Sequence, residues 1–478
     1  MRFSTVPGGT VETMARTPDS GLRRDSIAMN SIKAAFAVLF AVLTALWLLA
    51  DSPVPDPFTY FSFRAVFIQL TGIIAIGAMS VAAILALRPG WLEPHLGGLD
   101  KMYRLHKWLG IAGLVAAVVH WWWARGTKWM VGWGWLERPA RGAGQGQAAG
   151  AGAGPASVAD WLHGQRDLAE GLGEWAFYAV VVLIALALWK RFPYHLFVKT
   201  HRWIAAVYLV LAYHSLVLTK GDYWSQPVGW ALAALLLAGV FAALVALSGR
   251  IGADRKVAGV IESIIDYPEL RVLETRVRLR AGWSGHKAGQ FAFVQSDRHE
   301  GAHPYTIASA WSAEDGQVTF ITKALGDHTS RLRDRLRTGT EVTVEGPYGC
   351  FDFDDDRPRQ IWIGAGIGIT PFIARMKQLA RSPSARPISL FHPTTDVSDA
   401  AIGKLMADAE AARVRLHVLI SPRDGLLTAE DIRKAVPEWQ SASIWFCGPP
   451  RFGAALRADF LAQGLPAAGF HQELFEMR

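Results

Sequence analysis

Four histidines lie inside apolar segments of this chain, where an ionisable side chain is costly and marks a candidate functional site. His106 and His120 are 14 residues apart and His201 and His214 are 13 apart, which on α-helices gives rises of ~21 Å and ~20 Å. On two helices that cross a membrane in the same direction, one histidine of each helix then lies near each bilayer face. Two facing imidazoles are the axial ligands of a six-coordinate haem. The pattern predicts two haem b groups with these four histidines as ligands, although an interhelical hydrogen bond explains any one of them alone.

The angular positions of the histidines fit this prediction unequally. Fourteen residues turn a helix by ~1400°, which leaves His106 and His120 within roughly 40° of each other. Thirteen residues turn it by ~1300°, which separates His201 and His214 by roughly 140°. We therefore predict a distortion such as a π-bulge between His201 and His214. His195, which follows Pro193 in a predicted loop, competes with His201 as the ligand near the cytoplasmic face of the bilayer.

Six apolar segments, each about as long as the hydrocarbon core of a bilayer requires, position these histidines. They lie near residues 32–50, 65–87, 107–124, 172–189, 202–219 and 227–247. They predict an all-α membrane bundle of six helices over residues 31–250, preceded by a mobile cytoplasmic tail over residues 1–30. The stretch Gly142–Ser157 consists almost entirely of Gly, Ala and Gln, which predicts a flexible loop.

The composition supports a membrane protein and argues against a nucleic-acid binder. Hydrophobic residues make up 51% of the chain and charged residues only 19%, with 20 tryptophans and a mean hydropathy of +0.19. Sixteen lysines and arginines lie in the tail and alternate connections, against seven in the other connections. This asymmetry predicts a multi-pass protein of the plasma (inner) membrane with both termini in the cytoplasm. Two cysteines exclude a disulfide scaffold and a four-cysteine iron–sulfur cluster.

The segment after the bundle has short alternating apolar and polar runs separated by Gly, Ser and Asp, which predict a small antiparallel β-barrel over residues 255–356. Within it stands the run His303-Pro-Tyr-Thr-Ile-Ala-Ser309. The run Gly326-Asp-His-Thr329 follows a strand and opens a helix, where exposed amides favour a pyrophosphate. Gly346-Pro-Tyr-Gly349 then closes the predicted barrel with a tight turn.

Residues 357–478 alternate between strands and helices, which predicts a parallel sheet that binds a nucleotide. The strand 360–363 leads into the glycine-rich run Gly364-Ala-Gly-Ile-Gly-Ile-Thr-Pro371, followed by a helix. Glycines at this place let the backbone approach a phosphate at the helix N-terminus. Cys447-Gly448-Pro449 follows a later strand, and a packed core cysteine is the simpler explanation for Cys447 alone.

These motifs carry a resemblance to known families. The paired histidines resemble the ferric reductase transmembrane domain that NADPH oxidases and ferric reductases share. In their order along the chain, the later motifs resemble the FAD and NAD(P) domains of the ferredoxin-reductase family. That family usually has Arg where this chain has His303, whereas the oxidase branch commonly has His there.

The resemblance implies roles for individual residues in binding FAD and NADPH or NADH. Tyr305 lies against the isoalloxazine ring and Thr306 reaches its edge. The implied FAD-binding residues are His303, Tyr305, Thr306, Ser309, Gly326, His328 and Thr329. The implied NAD(P)H-binding residues are Gly364, Gly366, Gly368, Thr370, Pro371 and Gly448, with Ser421 and Arg423 as candidates for a 2′-phosphate. Cys447 near the nicotinamide and Phe475, stacked on the flavin until the nicotinamide displaces it, are the implied catalytic residues.

The sequence thus predicts a transmembrane oxidoreductase. Electrons would pass from cytoplasmic NAD(P)H through FAD and two haems to an extracytoplasmic acceptor, either oxygen with formation of superoxide or a ferric chelate. Alternatives are donation to a periplasmic protein partner and a non-catalytic membrane haem sensor. His163 and Arg166, on the outer loop, are candidates for attracting an anionic acceptor or product.

Overall fold

The computed structural model describes residues 24–137, 158–297 and 300–473. Three sequence-based predictions fall outside these residues in whole or in large part. They concern the tail up to residue 23, the loop Gly142–Ser157 and the catalytic role of Phe475.

The first half of the chain is helical. Its helices are α1 (Arg24–Ala50), α2 (Tyr60–Ala86), α3 (Glu93–Leu96), α4 (Leu99–Trp121), α5 (Thr127–Gly132), α6 (Val158–Gly164), α7 (Arg166–Leu188), α8 (Tyr194–Leu218) and α9 (Pro227–Ser248). Among the described residues, five of these helices are long and apolar enough to cross a membrane: α1, α2, α7, α8 and α9. The predicted count of six depends on α4, which packs against α1, α2 and α7.

Helix α4 begins eight residues before the predicted apolar segment that starts at residue 107. Its first turn carries Asp100 and Lys101, which are 4% and 8% exposed. A Cβ placed on the preceding Gly98 would lie 3.5 Å from the backbone nitrogen of Cys350. The polar first turn of α4 is therefore covered by the domain that follows the bundle, and hydropathy alone does not reveal such burial.

The helix ends show local sequence control. Thr59 and Ser62 form a capping box at the start of α2, with Ser62 N donating to Thr59 Oγ1 at 3.1 Å. Helix α4 runs into a π-helical turn, Trp122–Gly126. Arg64 of α2 donates to the carbonyls of Trp123 and Ala124 in that turn, at 3.0 Å each. A side chain from the neighbouring helix thus stabilises the π turn.

The π-bulge predicted between His201 and His214 is wrong. Helix α8 is a regular α-helix throughout that range, and the π turn lies instead on the helix segment that follows His120. The two histidines of α8 need not share one narrow face, because His214 approaches its partner alongside α7 whereas His201 lies on Phe197 of its own helix. His195 also differs from the prediction, since Pro193 is the N-cap of α8 and His195 is an exposed residue of its first turn.

The next domain is a six-stranded antiparallel sheet. Its strands are β1 (Lys256–Tyr267), β2 (Val272–Leu279), β3 (Phe291–Gln295), β4 (His303–Thr306), β5 (Gln317–Lys323) and β6 (Glu341–Tyr348), in the order β4-β3-β6-β1-β2-β5, with α10 (Asp327–Arg335) between β5 and β6. The chain beyond β4 meets β5 through the single bridge Ile307–Phe320. The antiparallel sheet agrees with the sequence, whereas its closure into a barrel stays a prediction.

The last domain is a five-stranded parallel sheet, as predicted. It contains β7 (Arg359–Gly364), β8 (Ile388–Thr394), β9 (Arg415–Ile420), β10 (Ala442–Cys447) and β11 (Phe470–Gln472), with helices α11 (Thr370–Arg381), α12 (Asp399–Ala411), α13 (Ser421–Asp424), α14 (Ala429–Ala435) and α15 (Pro450–Ala462). The strand order is β11-β10-β7-β8-β9, so β8 and β9 are added on one side of β7, and β10 and β11 on the other. Ligands of such sheets bind beyond the carboxyl ends of the strands at this reversal.

Charged residues join the antiparallel sheet to the bundle. Arg88, just after α2, forms an ion pair with Glu345 of β6 and lies 4.0 Å from the ring centre of Phe293. Glu93 of α3 accepts the Gly349 N–H at 2.7 Å and pairs with Arg255 at 3.7 Å. These contacts fix the sheet against the end of α2 and against α3.

Candidate functional site

The four histidines meet as two pairs between α4 and α8. The ring centres of His106 and His201 are 5.9 Å apart, and those of His120 and His214 are 6.2 Å apart. Two imidazoles that bind one metal from opposite sides, each nitrogen about 2 Å from it, place their ring centres about 6 Å apart. Each pair therefore has the separation that a shared metal ion requires.

Hydrogen bonds fix the ring orientation of three of these histidines. The Nδ1 atoms of His106, His120 and His214 lie 2.8, 3.1 and 2.8 Å from the carbonyls of Ala82, Ile68 and Ala169. A carbonyl oxygen only accepts, so Nδ1 carries the hydrogen and Nε2 is left free. This is the arrangement of metal-ligating histidines.

His201 is held differently. Its Nδ1 is buried and has no hydrogen-bond partner among the residues that the structure describes. Its ring instead stacks on Phe197, four residues earlier on α8, with the ring centres 5.1 Å apart and the planes at 27°.

Two glycines make room for the upper pair, His120 and His214. A Cβ on Gly173 of α7 would lie 2.0 Å from His214 Nδ1, and one on Gly72 of α2 would lie 3.3 Å from His120 Cε1. The pair lines a cavity of about 630 Å³, within the usual size range of cofactor sites. The cavity is also lined by Arg64, Arg125, Lys128, Arg166, Lys220, Asp167, Glu170 and Glu174.

Strand β4 and helix α10 place three of the predicted flavin residues together. His303 stacks on His328 with ring centres 3.7 Å apart and planes at 6°, and His328 Nε2 lies 3.1 Å from the Tyr305 hydroxyl. Burial, followed by the neighbouring His328, lowers the pKa of His303 to about 4. Burial also lowers the pKa of His328 and raises that of Tyr305. All three rings are therefore neutral near pH 7.

The other predicted flavin residues have local structural bonds. Thr329 Oγ1 accepts the Leu325 and Gly326 N–H groups at 3.0 Å each, which caps α10. Ser309 Oγ accepts the Thr319 N–H at 3.0 Å, and Thr306 pairs with Phe291 of β3. Glu300 was not recognised from the sequence, yet a carboxylate oxygen of it and ring nitrogens of both His303 and His328 lie within 4.8 Å of one another.

The glycine-rich run and the cysteine motif meet at the carboxyl ends of β7 and β10. A Cβ on Gly368 would lie 2.2 Å from the Cys447 carbonyl oxygen, and one on Gly448 would lie 2.7 Å from the Ala365 Cβ. A Cβ on Gly366 would meet none of the described residues within 4 Å. The two loops therefore pack backbone to backbone, with open space beside Gly366 for a phosphate.

Neighbouring residues stabilise this loop. Pro371 stands at the start of α11, and Thr370 Oγ1 donates to the Ile367 carbonyl at 2.8 Å. His392 Nδ1 donates to the Gly364 carbonyl at 2.7 Å, which ties β8 to the end of β7. His392 could not be recognised from the sequence as part of this site, because only the parallel pairing of the strands brings it to the loop.

Cys447 is buried, and burial followed by the nearby Glu473 raises the pKa of its thiol. Glu473 is buried as well, its Oε2 has no hydrogen-bond partner in the described residues, and burial raises the pKa of its carboxyl. The Cys447 thiol is thus protonated at neutral pH, and burial disfavours the charged form of Glu473. Glu473 had no signal in the sequence beyond its place near the end of the chain.

The hydrogen bonds of Arg423 go to a neighbouring residue and not to the glycine-rich run. It is exposed on α13, and its Nε and Nη2 donate to the carboxylate of Asp424 at 2.7 and 2.9 Å. His163 lies near the end of α6, and Arg166, which begins α7, lines the cavity of the upper pair.

Comparison with known families gives two matches. Residues 71–212 match the model of the ferric reductase like transmembrane component, and residues 264–351 match that of an FAD-binding domain. The first match contains His106, His120 and His201 and ends two residues before His214, and the second contains the His303 and Gly326 motifs. This organisation is that of an NAD(P)H-dependent oxidoreductase of the membrane.

Curated relatives match part of the chain. A flavohemoprotein of Pseudomonas aeruginosa is 26% identical over 37% of this chain and 48% of its own length. The toluate 1,2-dioxygenase electron transfer component of Pseudomonas putida is 25% identical over 39% and 58%. The ferredoxin reductase component of 3-ketosteroid-9-alpha-monooxygenase from Rhodococcus rhodochrous is 28% identical over 40% and 56%. The chain spans about half the length of these relatives.

Solved structures give weaker likenesses. A ferredoxin reductase in carbazole 1,9a-dioxygenase is 19% identical, with a TM-score of 0.39 over 46% of this chain and 69% of its own. A flavohemoglobin from Malassezia yamatoensis is 15% identical, with a TM-score of 0.44 over 95% and 99%.

Proposed function

We propose that this oxidoreductase, which carries the transmembrane and FAD-binding domains of the ferric reductase and NADPH oxidase superfamily, moves electrons across the plasma (inner) membrane. They pass from cytoplasmic NADPH or NADH through FAD and two bis-histidine haems to an acceptor outside. The observation that carries the proposal is the pair of imidazole separations, 5.9 and 6.2 Å.

The residues present fit the cofactors. Three backbone carbonyls keep Nε2 of His106, His120 and His214 free toward their partners, and Gly173 and Gly72 leave space beside the upper pair. When bound, FAD takes a hydride from the nicotinamide and releases the two electrons singly, which the haem irons accept and pass on.

The remaining groups of the chain bind and orient. The open backbone at Gly366, before α11, is suited to the pyrophosphate of NAD(P)H. The protonated Cys447 thiol offers an uncharged surface to the nicotinamide, and burial disfavours the charged form of the nearby Glu473. Tyr305 and the neutral His303 offer aromatic surface to the flavin.

The acceptor side is assigned to the upper cavity. Its lining contains five Lys or Arg residues and three Asp or Glu residues, an excess of positive charge that favours anionic acceptors such as a ferric carboxylate chelate. Oxygen, reduced to superoxide, is the other acceptor that a haem edge serves without an open iron position. Donation to a periplasmic protein partner and a non-catalytic haem sensor are the competing functions.

An anaerobic absorbance spectrum taken after the addition of NADPH tests the proposal. Bleaching of FAD together with reduced haem bands is expected. Bleached FAD beside oxidised haem bands would reject the electron chain and favour the sensor. A His214→Leu variant is expected to lose one haem while NADPH still reduces its flavin, and retention of two haems would reject His214 as a ligand. Superoxide-dismutase-sensitive cytochrome c reduction, measured beside ferric-chelate reduction, separates the two acceptors.

A further inference from the structure

The first residue of α8 contacts β4, the strand that bears the predicted flavin residues and is called the flavin strand below. Tyr194 donates its hydroxyl hydrogen to the Ala302 carbonyl at 3.3 Å, immediately before β4. Its ring centre lies 4.7 Å from that of His303, the first residue of β4, with the planes at 36°. The helix that bears His201 is thus anchored by its first side chain to the strand that bears the flavin motif.

The same ring begins a continuous row along α8. Tyr194 and Phe197 are three residues apart and their ring centres are 6.0 Å apart, and Phe197 lies 5.1 Å from His201, four residues further on. Residues three and four apart share one helix face, and these separations lie in the range of favourable aromatic contacts. Tyr194, Phe197 and His201 are all partly buried, whereas His195 and Leu196 between them are exposed.

The unusual support of His201 gives this row a role. The other three paired histidines are oriented by backbone carbonyls, but Nδ1 of His201 has no partner in the described part of the chain. Besides the edge contact with its partner His106, the His201 ring stacks on Phe197, and this stacking holds the plane of the ring. A ligating histidine normally depends on such an outer partner for its orientation.

We propose that Tyr194 and Phe197 are positioning residues that form an aromatic bridge from the flavin strand to His201, and that the bridge sets the geometry for electron transfer into the first haem. The inference rests on the proposed function. In the step that it serves, the reduced flavin loses one electron and the haem iron gains it. The bridge forms and breaks no bond and keeps no charge.

A Phe197→Leu variant tests the bridge because it keeps an apolar side chain and removes the ring face. NADPH should reduce ferricyanide through the flavin at the wild-type rate, while stopped-flow reduction of haem by NADPH should slow by about 10–100-fold, the usual effect of losing an outer partner of a metal ligand. The low-spin ferric EPR signal of one haem should change as the His201 ring turns. Phe197→Tyr should restore both the rate and the signal.

Controls separate this role from simple packing. Trp203→Leu removes a ring from α8 that is 64% exposed, and it should leave rate and signal unchanged. Tyr194→Leu should slow haem reduction as Phe197→Leu does. If Phe197→Leu keeps two haems, a wild-type EPR signal and a haem-reduction rate within twofold of wild type, the bridge is refuted. If the wild-type protein binds no haem when haem is supplied, the proposed function itself fails.

Discussion

Replacing Gly173 by alanine tests the upper histidine pair most directly. On α7, a Cβ at this position would lie 2.0 Å from His214 Nδ1, far inside van der Waals contact. The His214 ring must then move, and it loses its bond to the Ala169 carbonyl at 2.8 Å. Gly171, two residues earlier on the same helix, is the matched control, because a Cβ there meets none of the described residues within 4 Å.

The two substitutions share one favourable term and differ in the others. Alanine in place of glycine stabilises a helix interior by about 1 kcal/mol, so Gly171→Ala should be neutral or slightly stabilising. Gly173→Ala adds an overpacking cost of about 1–3 kcal/mol and loses a hydrogen bond worth about 1 kcal/mol. The net loss is about 1–3 kcal/mol, and it falls on the orientation of His214.

Haem content per chain, by the pyridine haemochromogen assay on protein purified in detergent, measures this effect. We expect two haems for Gly171→Ala and one tightly held haem for Gly173→Ala. Gly72→Ala should be intermediate, with two haems and a perturbed spectrum, since its Cβ would lie 3.3 Å from His120. Two haems per chain with an unaltered ferric spectrum in Gly173→Ala would refute the assignment of His214.

Three further predictions concern the two domains that follow the bundle. Arg88→Met leaves Glu345 without its buried arginine partner, and the free energy of unfolding should fall by about 3 kcal/mol. Arg280→Met removes the exposed pair with Glu341, and it should lower the free energy of unfolding by less than about 1 kcal/mol. Equal losses of stability in thermal unfolding would contradict the role of Arg88 in joining the sheet to the bundle. The pKa of His303 is about 4 in the folded protein, against an ordinary value of 6.5. Because the unfolded chain therefore binds a proton at His303 more tightly, the protein should lose stability as the pH falls from 6.5 toward 4. His303→Gln should flatten the dependence of the apo-protein Tm on pH in that range. An unchanged slope would show that His303 is not the source of this pH dependence. In a Cys350→Ser background, iodoacetamide at pH 8 should alkylate Cys447 slowly unless the protein is unfolded, because burial raises the pKa of its thiol; fast labelling of the folded protein would show that Cys447 is accessible.

The periodic features of the chain could be predicted from the sequence. Apolar length placed the membrane helices, and residue alternation placed the antiparallel and parallel sheets. The spacing of His106 and His120 placed both on one face of α4. The bulge predicted in α8 was wrong, because His214 lies against Ala169 and Gly173 of α7 as well as facing its partner on α4.

Features that depend on contact between domains could not be predicted. In the sequence, Asp100 and Lys101 look like part of a polar connection between two helices. They are buried in the structure, because a segment some 250 residues later in the chain, at Cys350, covers them. Glu473, just after β11, and His392, on β8, are single polar residues in ordinary surroundings, and only the sheet order β11-β10-β7-β8 brings them to the cysteine and glycine motifs. Phe197 resembles any aromatic residue of a membrane helix until the missing hydrogen bond of His201 is seen.

The two histidine pairs therefore depend on different parts of the molecule. Both members of the upper pair, His120 and His214, are oriented by carbonyls of the bundle itself. In the lower pair, His201 takes its orientation through Phe197 from Tyr194, whose anchor is the strand β4. Since Arg88 holds the same domain against the bundle, Arg88→Met should alter the EPR signal of one haem and leave the other unchanged. An equal change in both signals would mean that the lower pair is as independent of the flavin domain as the upper pair.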